Sequence, residues 1–296
     1  MTGAVADQPL TAQKTGLTRR NFLFGSALSA AGLALYSSEF ASHEISILNR
    51  SLALPNLPDS FRGFRIVQIS DIHFDEYTEP SFVRRVIAEV NALAPDLVLL
   101  TGDYISFGPL GYDFATGAMH RCAAVLGGIA CPQRFAVMGN HDSFIGAPLI
   151  HPILAAVSIP LLVNQHVPIE RPGGRLWLCG IHDPVTHIPN LERAIPAQPD
   201  GPVLLMSHGP DYADELLTHP RGQLVDAMFS GHSHGGQVRF PFVGPMCLPA
   251  GGQKYVEGFY RLGHMQLYVN RGIGTVGLPF RLNCPPEITV FSLQKS

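Results

Sequence analysis

The hydrophobic pattern between residues 65 and 103 predicts a β-α-β unit. Residues 65–69 form a strand, and Pro80 suits the first turn of a helix. That helix is predicted from apolar residues at helical spacing, which are Val83, Val86, Ile87, Val90 and Leu93. Pro95 ends the helix, and the wholly apolar run 97–100 is typical of a buried strand.

The alternation of strands and helices continues towards the C-terminus. Further strands are predicted at residues 135–137, 161–163, 176–179, 203–206, 227–229, 266–269 and 288–291. Helices are predicted near residues 115–126, 148–157 and 212–218. This order indicates an α/β fold. Because no proline- or glycine-rich linker divides the chain, residues 41–296 are predicted to form one domain.

Composition and charge narrow the classes of protein. Of 296 residues, 46% are hydrophobic and 15% are charged, which allows a large core and argues against disorder. The net charge of -3 and the lack of long runs of one sign give no indication of a nucleic-acid surface. The five cysteines form no CxxC pair, so we expect no zinc-thiolate site and mostly small buried side chains.

The N-terminal region has the layout of an export signal. The sequence TRRNFL at residues 18–23 leads into an apolar stretch ending near residue 36, shorter than the roughly 20 residues that span a bilayer comfortably. It resembles a twin-arginine signal, with Phe24 in place of the common lysine. We therefore predict that residues 1–40 are a twin-arginine signal or a membrane anchor. The protein is then expected to engage the twin-arginine export machinery and to be periplasmic or in the cell envelope, with possible membrane association. A core helix is the alternative, and no clear A-x-A cleavage site decides between signal and anchor.

Five predicted strands are each followed at once by a residue type that binds metals. These residues are Asp71 and His73, Asp103, Asn140 with His141, His208, and finally His232 with His234. Ligands of open α/β sheets bind at the carboxyl ends of strands, so the five edges are expected to converge. In extended backbone, residues i and i+2 point the same way, so D-x-H and H-x-H would each present two ligands to one side.

Each block has a plainer interpretation when it is taken alone. A lone histidine is usually structural, the GNHD run could be a turn in which Asn140 or Asp142 caps a helix, and GHSHGG could be a flexible loop. Their joint occurrence in this order favours a metal site. Mixed imidazole and carboxylate ligands suit Zn, Fe or Mn better than Ca or Mg.

The five blocks together resemble the calcineurin-like metallophosphoesterases, whose signature runs D-x-H, G-D, G-N-H-D/E, a single His and G-H-x-H. The resemblance covers residues 61–291 and is nearest to the exported or membrane-associated bacterial phosphodiesterase group. It implies a four-layer α/β/β/α sandwich with two mixed sheets. Here Asp75 and Glu76 follow the D-x-H block, where the group often has glycine, and would add negative potential at the mouth.

The resemblance also implies a role for each site residue. One metal is held by Asp71, His73 and His234, the other by Asn140, His208 and His232, and Asp103 bridges both. His141 is the catalytic residue and faces the substrate phosphate. The implied reaction is hydrolysis of a phosphate ester, with a phosphodiester favoured, by a hydroxide that bridges two divalent transition-metal ions (Mn, Fe or Zn).

Two other functions stay open at this point. The apolar segment 240–246 follows the last histidines and could guide a lipid-linked phosphate or pyrophosphate, although a buried connection is the favoured interpretation. A non-catalytic metal-binding envelope scaffold is the alternative from another class. The presence of His141 argues against it, because a docking protein needs no acid.

Overall fold

The computed structural model describes residues 18–74, 77–108 and 110–296. Within these ranges the chain alternates α-helices and β-strands. The helices are α1 (Arg19–Leu35), α2 (Pro80–Ala92), α3 (Gly111–Leu126), α4 (Asn140–Ile145), α5 (Ala147–Ala155), α6 (Leu191–Ala194) and α7 (Ala213–Leu216). The strands are β1 (Ser46–Leu54), β2 (Arg65–Ile69), β3 (Leu97–Leu100), β4 (Arg134–Ala136), β5 (Gln165–Arg171), β6 (Gly174–Gly180), β7 (Val203–Met206), β8 (Ala227–Ser230), β9 (Arg239–Phe240), β10 (Gly244–Pro245), β11 (Gly258–Leu262), β12 (Met265–Val269) and β13 (Glu287–Lys295).

Two large mixed sheets form the middle of the domain. The first has the order β1-β13-β2-β3-β4, and the second has the order β11-β12-β8-β7-β6-β5. In the first sheet β2, β3 and β4 are parallel, and in the second β6, β7, β8 and β12 are parallel. The parallel register sets Ile69 beside Leu100 and Leu100 beside Ala136, so the ends of these strands lie level.

Three apolar cores separate four layers. One core joins the first sheet to helices α2, α3 and α5, the second fills the space between the sheets, and the third joins the second sheet to α6 and α7. Each strand that contributes to two cores is apolar on both faces, as β3 and β7 are. The predicted α/β/β/α sandwich with two mixed sheets is confirmed.

Several predicted elements differ from the observed ones. Residues 161–163 form no strand, and Leu161 makes only a single bridge to Ala136. The helix predicted at residues 212–218 is shorter than expected. A 3₁₀ turn (Pro210–Tyr212) begins at Pro210 and precedes the short α7. Strands β1, β5 and β11 were not predicted, since their half-exposed positions give a weak apolar pattern.

The N-terminal segment is helical where the structure describes it. The Thr18 side chain caps α1 by accepting from the Asn21 amide, and a π-helical turn (Tyr36–Phe40) continues it. Residues 1–17 of the predicted signal or anchor lie outside the described ranges. Among the described helices, none combines the length and the apolar character needed to cross a bilayer. The export signal stays a prediction.

Candidate metal centre

The facing ends of the two sheets bring all eight predicted site residues to one place. The first sheet supplies Asp71 and His73 after β2, Asp103 after β3, and Asn140 and His141 at the start of α4. The second supplies His208 after β7, with His232 and His234 after β8. Buried Gln68 joins the sheets, because its amide donates to Thr101 Oγ1 and to the Ser230 carbonyl oxygen.

Two three-residue groups have ligand atoms close enough to share a cation. The ligand atoms of Asp71, His73 and His234 lie within 4.8 Å of one another, and so do those of Asp103, His208 and His232. The first group is the set predicted for one metal. The second contains Asp103 with His208 and His232, two of the three ligands predicted for the other metal. A further group joins His73, Asp103 and His141.

Asp103 lies between the two groups. Its Oδ2 is 3.1 Å from His208 Nε2 and 3.6 Å from His73 Nε2, while its Oδ1 accepts from the His141 amide at 2.9 Å. Asp71 Oδ1 lies 3.4 Å from His234 Nε2 and 4.0 Å from His208 Nε2. One carboxylate oxygen of Asp103 therefore faces both groups, which is the position a bridging ligand needs.

Backbone carbonyl oxygens around the centre determine which ring nitrogen of His208 and of His232 is available to a metal ion. His208 Nδ1 donates to the Thr101 carbonyl oxygen at 2.8 Å, and His232 Nε2 donates to the Ala250 carbonyl oxygen at 2.8 Å. Because a carbonyl oxygen can only accept, the second nitrogen of each neutral ring keeps its lone pair. Those nitrogens, His208 Nε2 and His232 Nδ1, lie 3.2 Å apart and both point into the centre.

Two further observations indicate that these side chains are arranged to bind metal ions. The buried Asn140 Oδ1 has no hydrogen-bond partner among the described residues, although a buried amide oxygen normally has one. His73 Nε2 and His234 Nε2 lie 3.0 Å apart, and two facing imidazole lone pairs repel unless a proton or a cation lies between them. Nitrogen and oxygen donors of this kind suit Zn, Fe and Mn.

The backbone at the ligands is left-handed, and this corrects the extended geometry expected from the i, i+2 spacing. The φ angles are 50° at Asp71, 47° at His73, 55° at Asp103, 71° at His232 and 52° at His234. Non-glycine residues adopt this region at a cost of about 1–2 kcal/mol each. Strain of this kind accumulates at functional sites, where the surrounding structure enforces it.

Two glycines allow the ligand loops to approach each other. A Cβ at Gly231 would collide with the Ser70 hydroxyl and the Asp71 carboxylate, and a Cβ at Gly139 would collide with the Asp103 carboxylate. Any side chain at either position would displace a predicted ligand. The glycines of the GNHD and GHSH blocks are therefore required by packing around the centre.

Burial and charge set the protonation of the centre in the metal-free protein. Burial lowers the pKa of His73 to about 3 and lowers the pKa of His234 and His232 below the usual value. Burial also works against protonation of His208, but the carboxylates of Asp103 and Asp71 outweigh it and hold its pKa well above the usual value. In the absence of metal the carboxylates therefore favour a second proton on His208, at Nε2, and His208 must lose that proton before Nε2 can bind a metal ion.

The His141 ring is oriented by a backbone amide of the loop after β3. The backbone amide of Phe107 donates to His141 Nδ1 at 3.0 Å, so the proton of the neutral ring is on Nε2. Its side chain is partly exposed at the floor of the open cleft, whereas Asp71, His73 and His208 are buried. The ring is therefore set to donate from Nε2 towards a bound molecule.

Asp142 is a positioning residue whose full role the sequence did not indicate. Its buried carboxylate accepts from the amides of Asp103 at 2.7 Å, Gly139 at 2.9 Å and Tyr104 at 3.0 Å. The bond to Gly139 is the helix cap considered for this residue. The other two bonds tie the Asp103 loop to α4, which the GNHD block alone could not reveal.

Arg281 was also missed, because an isolated arginine gives no sequence signal. It is fully buried and donates to the carbonyl oxygens of Gly274, Gly272, Arg271 and Cys284. In the same loop the amides of Ile273 and Gly274 donate to the carbonyl oxygens of Ser70 and Asp71. Arg281 thereby stabilises the loop that supports the Asp71 backbone.

A cleft of about 650 Å³ opens onto this centre. Its floor is polar and includes Asp103, Asn140, His141, His232 and His234. Its walls are largely apolar, with contributions from Ala30, Leu33 and Ala34 of α1, from Phe240 and Met246, and from Val276, Leu278, Phe280 and Leu282. Asp75 and Glu76, expected at the mouth, lie outside the described residues.

The segment 240–246 is not the buried connection that we favoured from the sequence. Phe242 is fully exposed and Val243 is 78% exposed, while Phe240 and Met246 line the cleft. Gly244 and Pro245 pair with Arg239 and Phe240 in a short hairpin that projects beyond the core. The apolar segment is therefore part of the surface around the cleft.

Comparisons with known proteins agree with this geometry. Residues 64–236 match the family described as calcineurin-like phosphoesterase. The chain is 31% identical over 293 residues to the metallophosphoesterase YkuE of Bacillus subtilis (strain 168), covering 95% of this chain and 99% of that protein. It is 33% identical over 248 residues to the phosphodiesterase YaeI of Escherichia coli (strain K12), covering 79% and 84%.

A third relative carries a more specific name. The chain is 27% identical over 290 residues to the UDP-2,3-diacylglucosamine pyrophosphatase LpxG of Chlamydia trachomatis serovar D, covering 79% of this chain and 85% of that protein. The family match spans more than half of the chain, and its boundaries enclose every predicted site residue. The chain therefore belongs to the calcineurin-like phosphoesterases, a family of metal-dependent hydrolases of phosphate esters.

Proposed function

We propose that the protein hydrolyses a phosphodiester at a centre of two divalent transition-metal ions. The observation that carries this proposal is the convergence of two ligand groups on Asp103 Oδ2, 3.1 Å from His208 Nε2 and 3.6 Å from His73 Nε2. In the proposed assignment Asp103 serves both ions. The other ligands are Asp71, His73 and His234 for one ion, and Asn140, His208 and His232 for the other.

The chain's own residues divide the chemistry between them. Two bound cations would activate water and neutralise charge that builds on the phosphoryl oxygens. His141 donates a hydrogen bond from Nε2 to the leaving oxygen of the substrate phosphate and stabilises the charge that builds there, since Phe107 holds its Nδ1 as an acceptor. The leaving oxygen takes its proton from water. Asp142 keeps the Asp103 and His141 loops in register. No nucleophilic side chain is needed for this reaction.

The test is metal content and hydrolysis measured together in Asp103→Asn and in a matched control. Asp59→Asn is the control, because the Asp59 carboxylate is 78% exposed, forms an ion pair with Arg62 and belongs to neither ligand group. We expect about two metal ions per chain in the wild type and hydrolysis of an aryl phosphodiester. Asp103→Asn should lose both ions and the activity together, and Asp59→Asn should keep them.

Two results would contradict this assignment. A single tightly bound ion that Asp103→Asn leaves in place would rule out the shared ligand. A wild-type protein that holds two ions but hydrolyses no ester would favour the metal-binding scaffold. The ester panel should include nucleotides, glycerophosphodiesters, phospholipids and sugar nucleotides.

A second candidate substrate is a lipid-linked phosphate or pyrophosphate. The apolar walls of the 650 Å³ cleft favour it, because a nucleotide or sugar would leave those walls in contact with water. The relative LpxG, named for a diacylated sugar nucleotide, supports the same class. In the ester panel, this candidate requires turnover of an acylated substrate to exceed that of its water-soluble headgroup.

We also propose export by the twin-arginine route, with residues 1–40 as signal or anchor. The support is the Arg19-Arg20 pair, which forms the first two residues of helix α1 directly before its uncharged part. The twin-arginine export machinery would carry the folded domain, so metal could be bound before transport. Replacing both arginines by lysine tests the route.

A further inference from the structure

From Phe22 onwards, helix α1 is apolar apart from two serines, and the described part of the domain does not cover it. None of its 17 residues is buried, and Phe24 is 72% exposed. Residues 21–38 contain no charged side chain, and the Arg19-Arg20 pair stands at the start of the helix. A helix that is apolar all round is normally enclosed by a protein core or by lipid. Within the described residues, the core does not enclose this one.

A second exposed apolar segment lies across the same cleft from α1. Phe242 and Val243 project from the hairpin, and Leu278 is exposed on the neighbouring loop. Residues 240–249 contain no charged side chain, and the adjacent Arg239 is ion-paired with Glu257. We call α1, residues 240–246 and Leu278 the apolar rim.

The apolar rim surrounds one opening rather than scattered positions. Ala30, Leu33 and Ala34 of α1 share the cleft with Phe240, Met246 and Leu278. The floor of that cleft carries His141 and the predicted metal ligands. A contiguous exposed apolar surface of this kind marks a protein or membrane interaction site in soluble proteins.

We infer that the apolar rim docks the protein on a lipid bilayer, with the cleft opening towards the membrane. The charge pattern favours lipid over a protein partner. The inserted part carries no charge, and the arginine pair at its end suits anionic headgroups. The strength of binding to a bilayer increases with the apolar area that a protein segment buries in it. The docking would let a lipid-linked substrate pass from the bilayer into the cleft, and this part of the inference rests on the proposed function.

Vesicle flotation of the full chain tests the docking. Vesicles of phosphatidylethanolamine and phosphatidylglycerol are mixed with the wild type and with Phe242→Asp, Phe24→Asp and Ile188→Asp. Ile188 is the matched control, because it is 93% exposed and lies outside the apolar rim. We expect the wild type to float with the vesicles. The two rim variants should bind at least about tenfold more weakly, and the control should be unchanged.

Parallel hydrolysis of a water-soluble aryl diester separates docking from catalysis. Phe242 and Phe24 do not line the cleft, so both variants should keep the wild-type rate. Flotation without any ester hydrolysis would leave the docking intact and refute the proposed function. Hydrolysis without flotation would refute the docking alone.

Two more results would overturn the docking. One is an equal loss of binding in Ile188→Asp, which would show that the effect is not local to the apolar rim. The other is a dimer without vesicles that Phe242→Asp converts to a monomer, which would assign the surface to a second copy of the chain.

Discussion

His141→Ala should lower hydrolysis while leaving the metal centre intact. The contact of residue 141 with Asp103 is made by its backbone amide, 2.9 Å from Asp103 Oδ1, and alanine retains that amide. The side chain is partly exposed, so its removal creates no buried cavity. What is lost is the Nε2 donor that Phe107 holds in place through Nδ1 at 3.0 Å.

The size of the effect follows from the role of that donor. A positioned hydrogen-bond donor to developing negative charge is worth about 10²- to 10³-fold in rate, or roughly 3–4 kcal/mol of transition-state free energy. The change in unfolding free energy should stay within about 1 kcal/mol, as expected for a partly exposed side chain. The loss of kcat should be larger for an alkyl ester than for an aryl ester, whose ring spreads the negative charge of the leaving oxygen.

The assay pairs metal stoichiometry with kcat on two diesters of unlike leaving-group pKa. His232→Ala is the comparison, since its ring belongs to a ligand group and it should lose metal and activity together. Wild-type turnover by His141→Ala on both esters would refute the role of His141 as a donor to the leaving oxygen. Loss of metal from His141→Ala would refute the separation between donor and ligand.

Three further results are expected. Asp142→Asn should lower the unfolding free energy by about 2–4 kcal/mol, because an asparagine side chain cannot accept from all three backbone amides. Urea unfolding of this variant and of Asp59→Asn measures the difference. Equal stability of the two variants would contradict the prediction. The carboxylates of Asp103 and Asp71 outweigh burial and raise the pKa of His208, so metal must displace a proton there. Metal affinity measured against a competing chelator should therefore rise with pH by about tenfold per unit below that pKa, and a flat profile would refute this. Replacing Arg19 and Arg20 by lysine should leave the protein in the cytoplasm on fractionation, and continued export would exclude the twin-arginine route.

The amino-acid sequence indicated the fold class, and it indicated that the candidate residues lie at one edge of the sheets. The buried parallel strands β2, β3, β7 and β8 are short and largely apolar, so the sequence shows where each strand ends and which polar residues follow it. Parallel strands that end level place those residues at one edge. The half-exposed strands β1 and β11 were missed because each carries polar residues on its open face.

Tertiary structure alone decided how the residues meet. The left-handed backbone at Asp71 and His232 replaces the extended geometry that the spacing suggested, because neighbouring loops enforce it. The bonds from Asp142 to the Asp103 loop and the exposure of segment 240–246 depend on residues far apart in the chain. Local sequence determines which residues end each strand. Only the packing of two sheets determines which side chains are enclosed and which face the cleft.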